Sequence, residues 1–207
     1  MRRRLIAASA VMIATGTLLV AQETRIASPE GSAATEIRGK YRSGSEAVYE
    51  GGHWIEITYS RPIKRGRELW GAGPDYGKQL SAGAPVWRAG ANMSTRLKTD
   101  LPLVVNGKPV KAGEYSLFID LKPNNWTLIV SSWGARKEFD KDDGQTLFGS
   151  FDYTPDKDVV RAPMKLETLP RSVDQLTWQF LDMSDAGGLM AIEWDKTRAS
   201  VPFRAGG

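Results

Sequence analysis

The sequence has no cysteine and a single histidine, His53, among its 207 residues. Without cysteine there are no disulfides, no thiol catalysis, no Cys-based metal site and no acyl anchor on an N-terminal cysteine. One histidine with no second histidine two or four positions away is a poor metal signal. A Ser-His-Asp triad would have to recruit His53, and no G-x-S-x-G elbow is present to hold its nucleophile. His53 follows Gly51-Gly52 at the start of a predicted strand and reads as an exposed strand-end residue. No window carries an amphipathic helix with caps. Beyond the first 21 residues no segment is long and apolar enough to span a bilayer.

The N-terminus differs from the rest. Arg2, Arg3 and Arg4 precede an uncharged stretch from Leu5 to Ala21, rich in Leu, Ile, Val, Met and Ala. A basic head, an apolar middle and a small residue at the end have the layout of a secretory signal peptide. Residues 1–21 are therefore read as a leader cleaved after Ala21; Leu19 is larger than the small residue usual three positions before a cleavage point, so the cut can shift by a few residues. The competing reading is a retained anchor. Its run of 17 residues sits at the lower limit of the ~17–25 that cross a bilayer, and Thr15, Gly16 and Thr17 weaken it.

Removing the leader changes the charge argument. The chain has 28 Lys+Arg and 24 Asp+Glu; without Arg2, Arg3 and Arg4, 25 basic residues face 24 acidic ones. Nucleic-acid binding calls for a clustered basic excess, which this near-neutral balance does not support. The expected address is the bacterial periplasm or the secreted fraction, with no transmembrane segment after cleavage. About 185 residues remain, enough for one sizeable core.

Residues 22–45 are polar and turn-rich and read as a loosely packed leader to the domain, with a short strand around Glu36–Tyr41. From Ala47 the pattern changes to period two. Ala47–Tyr49 and His53–Ser60 are predicted strands, and Gly51-Gly52 between them is a candidate hairpin turn. Ile55, Ile57 and Tyr59 share one face of the second strand. Arg61–Pro85, with Pro62, Pro74, Pro85 and several glycines, has no sustained period and reads mainly as loop. Strands follow at Met93–Lys98 and Leu101–Val105. Asn106-Gly107 is the strongest short hairpin signal in the chain. Further strands are predicted at Glu114–Asp120, Trp126–Ser132, Thr146–Tyr153 and Val159–Leu166. The last are Leu176–Asp182, Leu189–Trp194 and Arg198–Phe203. Short strands with Gly, Pro and Asn turns and no interleaved helices predict an all-β fold. The expected form is a two-sheet antiparallel β-sandwich, jelly-roll or immunoglobulin-like, with little or no helix, over residues 46–204.

Four stretches together resemble one family. They are Tyr59-Ser60-Arg61-Pro62 with Arg65-Gly66-Arg67; Val86-Trp87-Arg88-Ala89-Gly90-Ala91-Asn92; Ala112-Gly113-Glu114-Tyr115-Ser116-Leu117-Phe118; and Ile192-Glu193-Trp194-Asp195-Lys196. The chain resembles the bacterial secreted family called domain of unknown function 2911, over nearly all of Ser28–Phe203. The resemblance implies a bacterial envelope protein. It supplies no reaction and no catalytic residues.

The candidate ligand-binding residues are Arg61, Arg88, Asn92 and Trp87. Arg61, Lys64, Arg65, Arg67 and Arg88 are cations near one another in sequence, and Arg suits bidentate contacts to carboxylate or phosphate. Trp70, Tyr76 and Trp87 lie close by and could stack on a sugar or another planar group. The bland alternatives are a solvated loop pinned by ion pairs, a buried Trp87, and an Asn92 that fixes a turn. Trp126, Trp178 and Trp194 read as core. Acidic groups at Asp140, Asp142 and Asp143, at Asp152, Asp156 and Asp158, and at Asp182 and Asp185 are candidates for structural calcium, although none has EF-hand spacing; no other cofactor is implied. The leading expectation is a non-catalytic binding or structural module for a glycan, peptide or partner protein. The alternative is a hydrolase or isomerase with an Arg/Asn/carboxylate site in the loop face of residues 61–92. That alternative requires a cleft holding an Asp or Glu with a raised pKa beside Arg61, Arg88 or Asn92.

Overall fold

A computed structural model describes residues 26–43, 48–141 and 143–206. The leader expected at residues 1–21 lies outside the described residues, as does Asp142. The protein is all-β, with strands in several antiparallel sheets and very little helix. Among the described residues no helix is long and apolar enough to cross a membrane.

Two sheets make the sandwich. The first has six strands in the order β1–β4–β5–β8–β9–β12. These are β1 (Glu30–Ile37), β4 (His53–Ser60), β5 (Thr95–Thr99), β8 (Gly113–Asp120), β9 (Thr127–Ser131) and β12 (Asp158–Pro163). The second has four, β13 (Lys165–Ser184), β14 (Gly187–Ala205), β6 (Leu103–Val105) and β7 (Lys108–Val110). Two small pairs complete it: β2 (Lys40–Arg42) with β3 (Val48–Glu50), and β10 (Gly134–Ala135) with β11 (Thr146–Leu147).

Period two in sequence becomes an inner face in space. Ile55, Ile57 and Tyr59 of β4, Leu117 and Ile119 of β8, and Leu128 and Val130 of β9 are all buried in the main core. They meet Trp178, Met190, Ile192, Trp194 and Phe203 from the second sheet. The opposite face of β8 and β9 is covered as well. Phe118 and Ile129 are buried against Val86, Leu147 and Tyr153, with Trp133 packed on them. The segment from Trp133 to Lys157 thus lies across the outer face of the large sheet, which is why β8 reads as apolar on both faces. At Asn106-Gly107 both φ angles are positive (50° and 74°), as a two-residue turn joining β6 to β7 requires.

Three expectations are corrected. Gly51-Gly52 does not turn a hairpin. The strand β3 pairs with β2, and β4 pairs with β1 from Glu30↔Ser60 to Ile37↔His53. One long two-part hairpin results, and Gly52 lies where a Cβ would strike the backbone of Ile37 and Gly39. Within residues 22–45, Glu30–Ile37 is a full edge strand of the main sheet; Ala33, Thr35 and Ile37 share its more buried face, but Ala34 between them and the small residues before them leave little period-two contrast in the sequence. Thr146–Tyr153 is strand only at Thr146–Leu147, since Gly149 and Asp152 take positive φ and bend the chain.

Candidate functional site

The Trp87–Asn92 segment is an excursion within what would otherwise be one strand. Past Thr95, where β5 begins, Trp87 takes the place beside β8. Trp87 N–H donates to the Ile119 carbonyl at 2.9 Å and Ile119 N–H donates back at 2.8 Å. Residues 88–94 loop out between these two paired positions. The loop closes on itself and on its neighbours. Thr95 N–H donates to the Arg88 carbonyl (3.4 Å), and the Ala89 carbonyl accepts from Thr95 Oγ1 (3.1 Å) and Trp178 Nε1 (3.0 Å). The Trp87 indole donates to the Gly90 carbonyl at 3.1 Å.

The preceding loop is fastened to the other sheet. Ile63 bridges Gln175, and Lys64 N–H donates to the Asp174 carbonyl at 2.7 Å. Lys64 Nζ pairs with Asp195 at 2.5 Å, and Asp195 also accepts from Ser172 Oγ at 2.7 Å. Burial works against the charge of Asp195, but Lys64 and Ser172 outweigh it and hold the carboxyl below its usual range.

Between these loops and β14 lies a cleft of about 520 Å³. Arg65 and Arg67 border it from one loop and Arg88, Ala91 and Asn92 from the other. Trp87, Trp194 and Leu80 supply apolar wall, and Gln79 adds an amide. No Asp or Glu lines this cleft among the described residues. The volume falls within the ~300–1,000 Å³ typical of small-molecule sites.

Arg88 is 8 % exposed. Its Nη1 donates to the Asn92 carbonyl at 2.7 Å, and the guanidinium carbon lies 5.1 Å from the centre of the Phe151 ring. Gly149, at φ 65°, passes so close that a Cβ would overlap the guanidinium. No carboxylate forms an ion pair with Arg88 among the described residues, and burial lowers its pKa.

The other candidates divide. Arg61 does not border the cleft. Its methylenes run over Gly31 of β1, and its guanidinium reaches the Leu176 carbonyl and Thr177 Oγ1, both at 3.4 Å, tying the edge of one sheet to the other. Asn92 borders the cleft, but its amide nitrogen donates to the Ser28 carbonyl (3.3 Å) and Ser60 Oγ (3.5 Å), so it fastens the loop to the end of β4. Trp87 is buried and stacks with Trp194 at 6.1 Å. Trp70 packs against Trp126 at 4.7 Å, and Tyr76 Oη accepts from the Trp126 indole at 2.9 Å, so both join the core instead of forming an open platform. His53 is exposed at the start of β4. Sequence reasoning missed Gln79, Leu80 and Phe151, which carry no motif and reach the site only through folding.

The acidic groups are largely engaged by protein partners. Asp143 accepts from Gln145 and Thr146, Asp158 from Tyr153 and Arg161, and Asp185 from the Arg38 N–H. No group of three or more potential ligands gathers for a metal among the described residues.

A family model described as "Protein of unknown function (DUF2911)" matches residues 43–203. No curated protein and no solved structure matches the chain.

Proposed function

The chain belongs to the DUF2911 family, and from that premise we propose that it is a non-catalytic binding module of the bacterial envelope. The cleft between the Arg61–Asn92 region and β14 holds its ligand. One observation carries this reading: a concave wall joins two loops and a strand, and combines three arginines with apolar side chains. The loops forming it are pinned at Ile63, Lys64, Trp87 and Thr95, so the wall is preformed. Preorganisation of this kind reduces the ordering cost of binding.

A hydrolase or isomerase in this cleft would need a carboxylate as acid or base. Among the described residues none lines it. Arginine is too basic to exchange protons near neutral pH. The wall is therefore suited to holding a ligand.

The export assignment rests on Arg2–Arg4 and the apolar stretch to Ala21. Fractionating a bacterial host that expresses the full chain is expected to place it outside the inner membrane with residues 1–21 removed. The binding assignment is tested by thermal-shift screening against glycans and peptides. A ligand at 100 times its Kd should stabilise the fold by about 2.7 kcal/mol. Turnover of a glycoside, ester or peptide that is abolished in Arg88→Ala would sink the non-catalytic reading.

A further inference from the structure

We infer that the cleft recognises an oxyanion, a carboxylate or phosphate group carried on a compact body with an apolar face, and that Arg88 is the residue that reads it. This inference rests on the binding reading above and names the chemistry of the ligand.

Arg88 differs from the cations that this protein pairs with acids. Lys64 is paired with Asp195, Arg161 with Asp158 and Asp120, and Arg198 with Glu193. Arg88 is more deeply buried than any of these and has a backbone carbonyl and a ring face in place of an acid. Burying a cation without an anion is costly, and an anion arriving from outside recovers part of that cost. The guanidinium fork of arginine matches the two oxygens of a carboxylate or phosphate.

The surroundings agree with this reading. Gly149 and Phe151 pack against the guanidinium, and the Asn92 carbonyl fixes Nη1. Arg65 stands at the rim with its main chain anchored, its N–H donating to Asp174 at 3.1 Å. Arg67 stands beside it, with Nε and Nη2 committed to the carbonyls of Lys64 and Ile63. Three cations with no acid in the wall make the cleft electropositive although the chain as a whole is almost balanced, and a concave low-dielectric site concentrates that field. Ile63 and Leu80 offer apolar surface to the rest of the ligand.

The test is isothermal titration of the purified protein with three probes: phenyl glucuronide, its neutral twin phenyl glucoside, and phenyl phosphate. The expected result is binding of the glucuronide or the phosphate at least tenfold tighter than the glucoside. Which anion binds better separates a sugar acid from a phosphate ester as the source. Arg88→Met is expected to weaken the anionic probe at least tenfold, and Arg65→Ala about threefold, with both variants showing wild-type unfolding curves. Binding of the glucoside as tight as the glucuronide, or anion binding unmoved by Arg88→Met, overturns this inference and leaves the binding reading intact. If none of the three probes binds at millimolar concentration, the inference is also overturned; the wider screen of glycans and peptides then decides the binding reading separately.

Discussion

Two arginines on two parts of the molecule treat their charge in opposite ways. Arg161, on β12, is 40 % exposed at its side chain, yet three acceptors hold its guanidinium. Its Nη1 donates to Asp158 at 2.8 Å and to Tyr153 Oη at 3.2 Å, and its Nη2 lies 3.3 Å from Asp120. Burial alone would lower its pKa, but Asp158 and Tyr153 outweigh that and raise it. Tyr153 in turn is pushed far up by burial and by the carboxylate it donates to. Arg88 has the reverse balance: more burial, no acid, and a lowered pKa. The first cluster is electrostatically closed and works as a fastening between β12 and the segment over the outer face. The second charge belongs to a residue of the cleft wall and has no acid beside it among the described residues. A paired cation contributes to the fold, whereas an unpaired one in a cleft wall is poised for an anion that the fold does not contain.

This contrast is sharpened most by breaking the closed cluster. Asp158→Ala would leave Tyr153 Oη without its acceptor and Arg161 without its nearer acid. A loss of about 3 kcal/mol is expected in urea unfolding, because buried polar groups would be stranded. A loss under about 1 kcal/mol would mean that these partners do not depend on one another.

Next comes the packing that shapes the open site. Gly149→Ala must accommodate both a positive φ and the Arg88 guanidinium. About 2 kcal/mol of destabilisation is expected. Combining it with Arg88→Ala should return part of that loss, and a strictly additive double mutant would show that the two residues do not touch.

A smaller effect is expected in acid. The Asp195 carboxyl is held below its usual range, so the folded state keeps it ionised at pH values where the unfolded chain takes up a proton. Its contribution is complete above the ordinary aspartate value of 3.8 and is lost as pH falls from there through the folded value. Asp195→Asn should remove that loss from the acid limb of an unfolding-versus-pH curve. An unchanged acid limb in that variant would show that Lys64 does not depend on the ionised form.

The smallest expected effect is the most diagnostic. Arg88→Met trades a desolvated cation for an apolar chain of similar length, losing one hydrogen bond and a ring contact. Stability should change by less than about 1 kcal/mol, since the lost contacts and the relieved desolvation oppose each other. A loss as large as that of Asp158→Ala would place Arg88 among the structural cations.

Much of the architecture was legible in the chain because the alternation of β4, β8, β9 and the last hairpin is local. The core tryptophans followed from the same periodicity. The pairing of β3 with β2, and the use of Glu30–Ile37 as a sheet edge, were not legible; a two-residue glycine run looks alike whether it turns the chain or lets another backbone pass. The candidate site was legible only in part. The cations of the 61–92 region could be named from sequence, but not sorted. Arg61 and Arg88 look alike there, and one of them ties two sheets together while the other borders a cleft.

By itself, then, the sequence determined the all-β class, the Asn106-Gly107 turn, the near-neutral charge beyond Arg4 and the exclusion of cysteine chemistry, since each depends on composition or on neighbours a few residues apart. Only the tertiary structure decided which cations have acids beside them. Arg161 meets Asp120 from 41 positions away, and Arg88 meets Gly149 and Phe151 from across the outer face of the sheet. Pairing and burial are properties of distance in space, and it is their mismatch at Arg88 that marks the cleft.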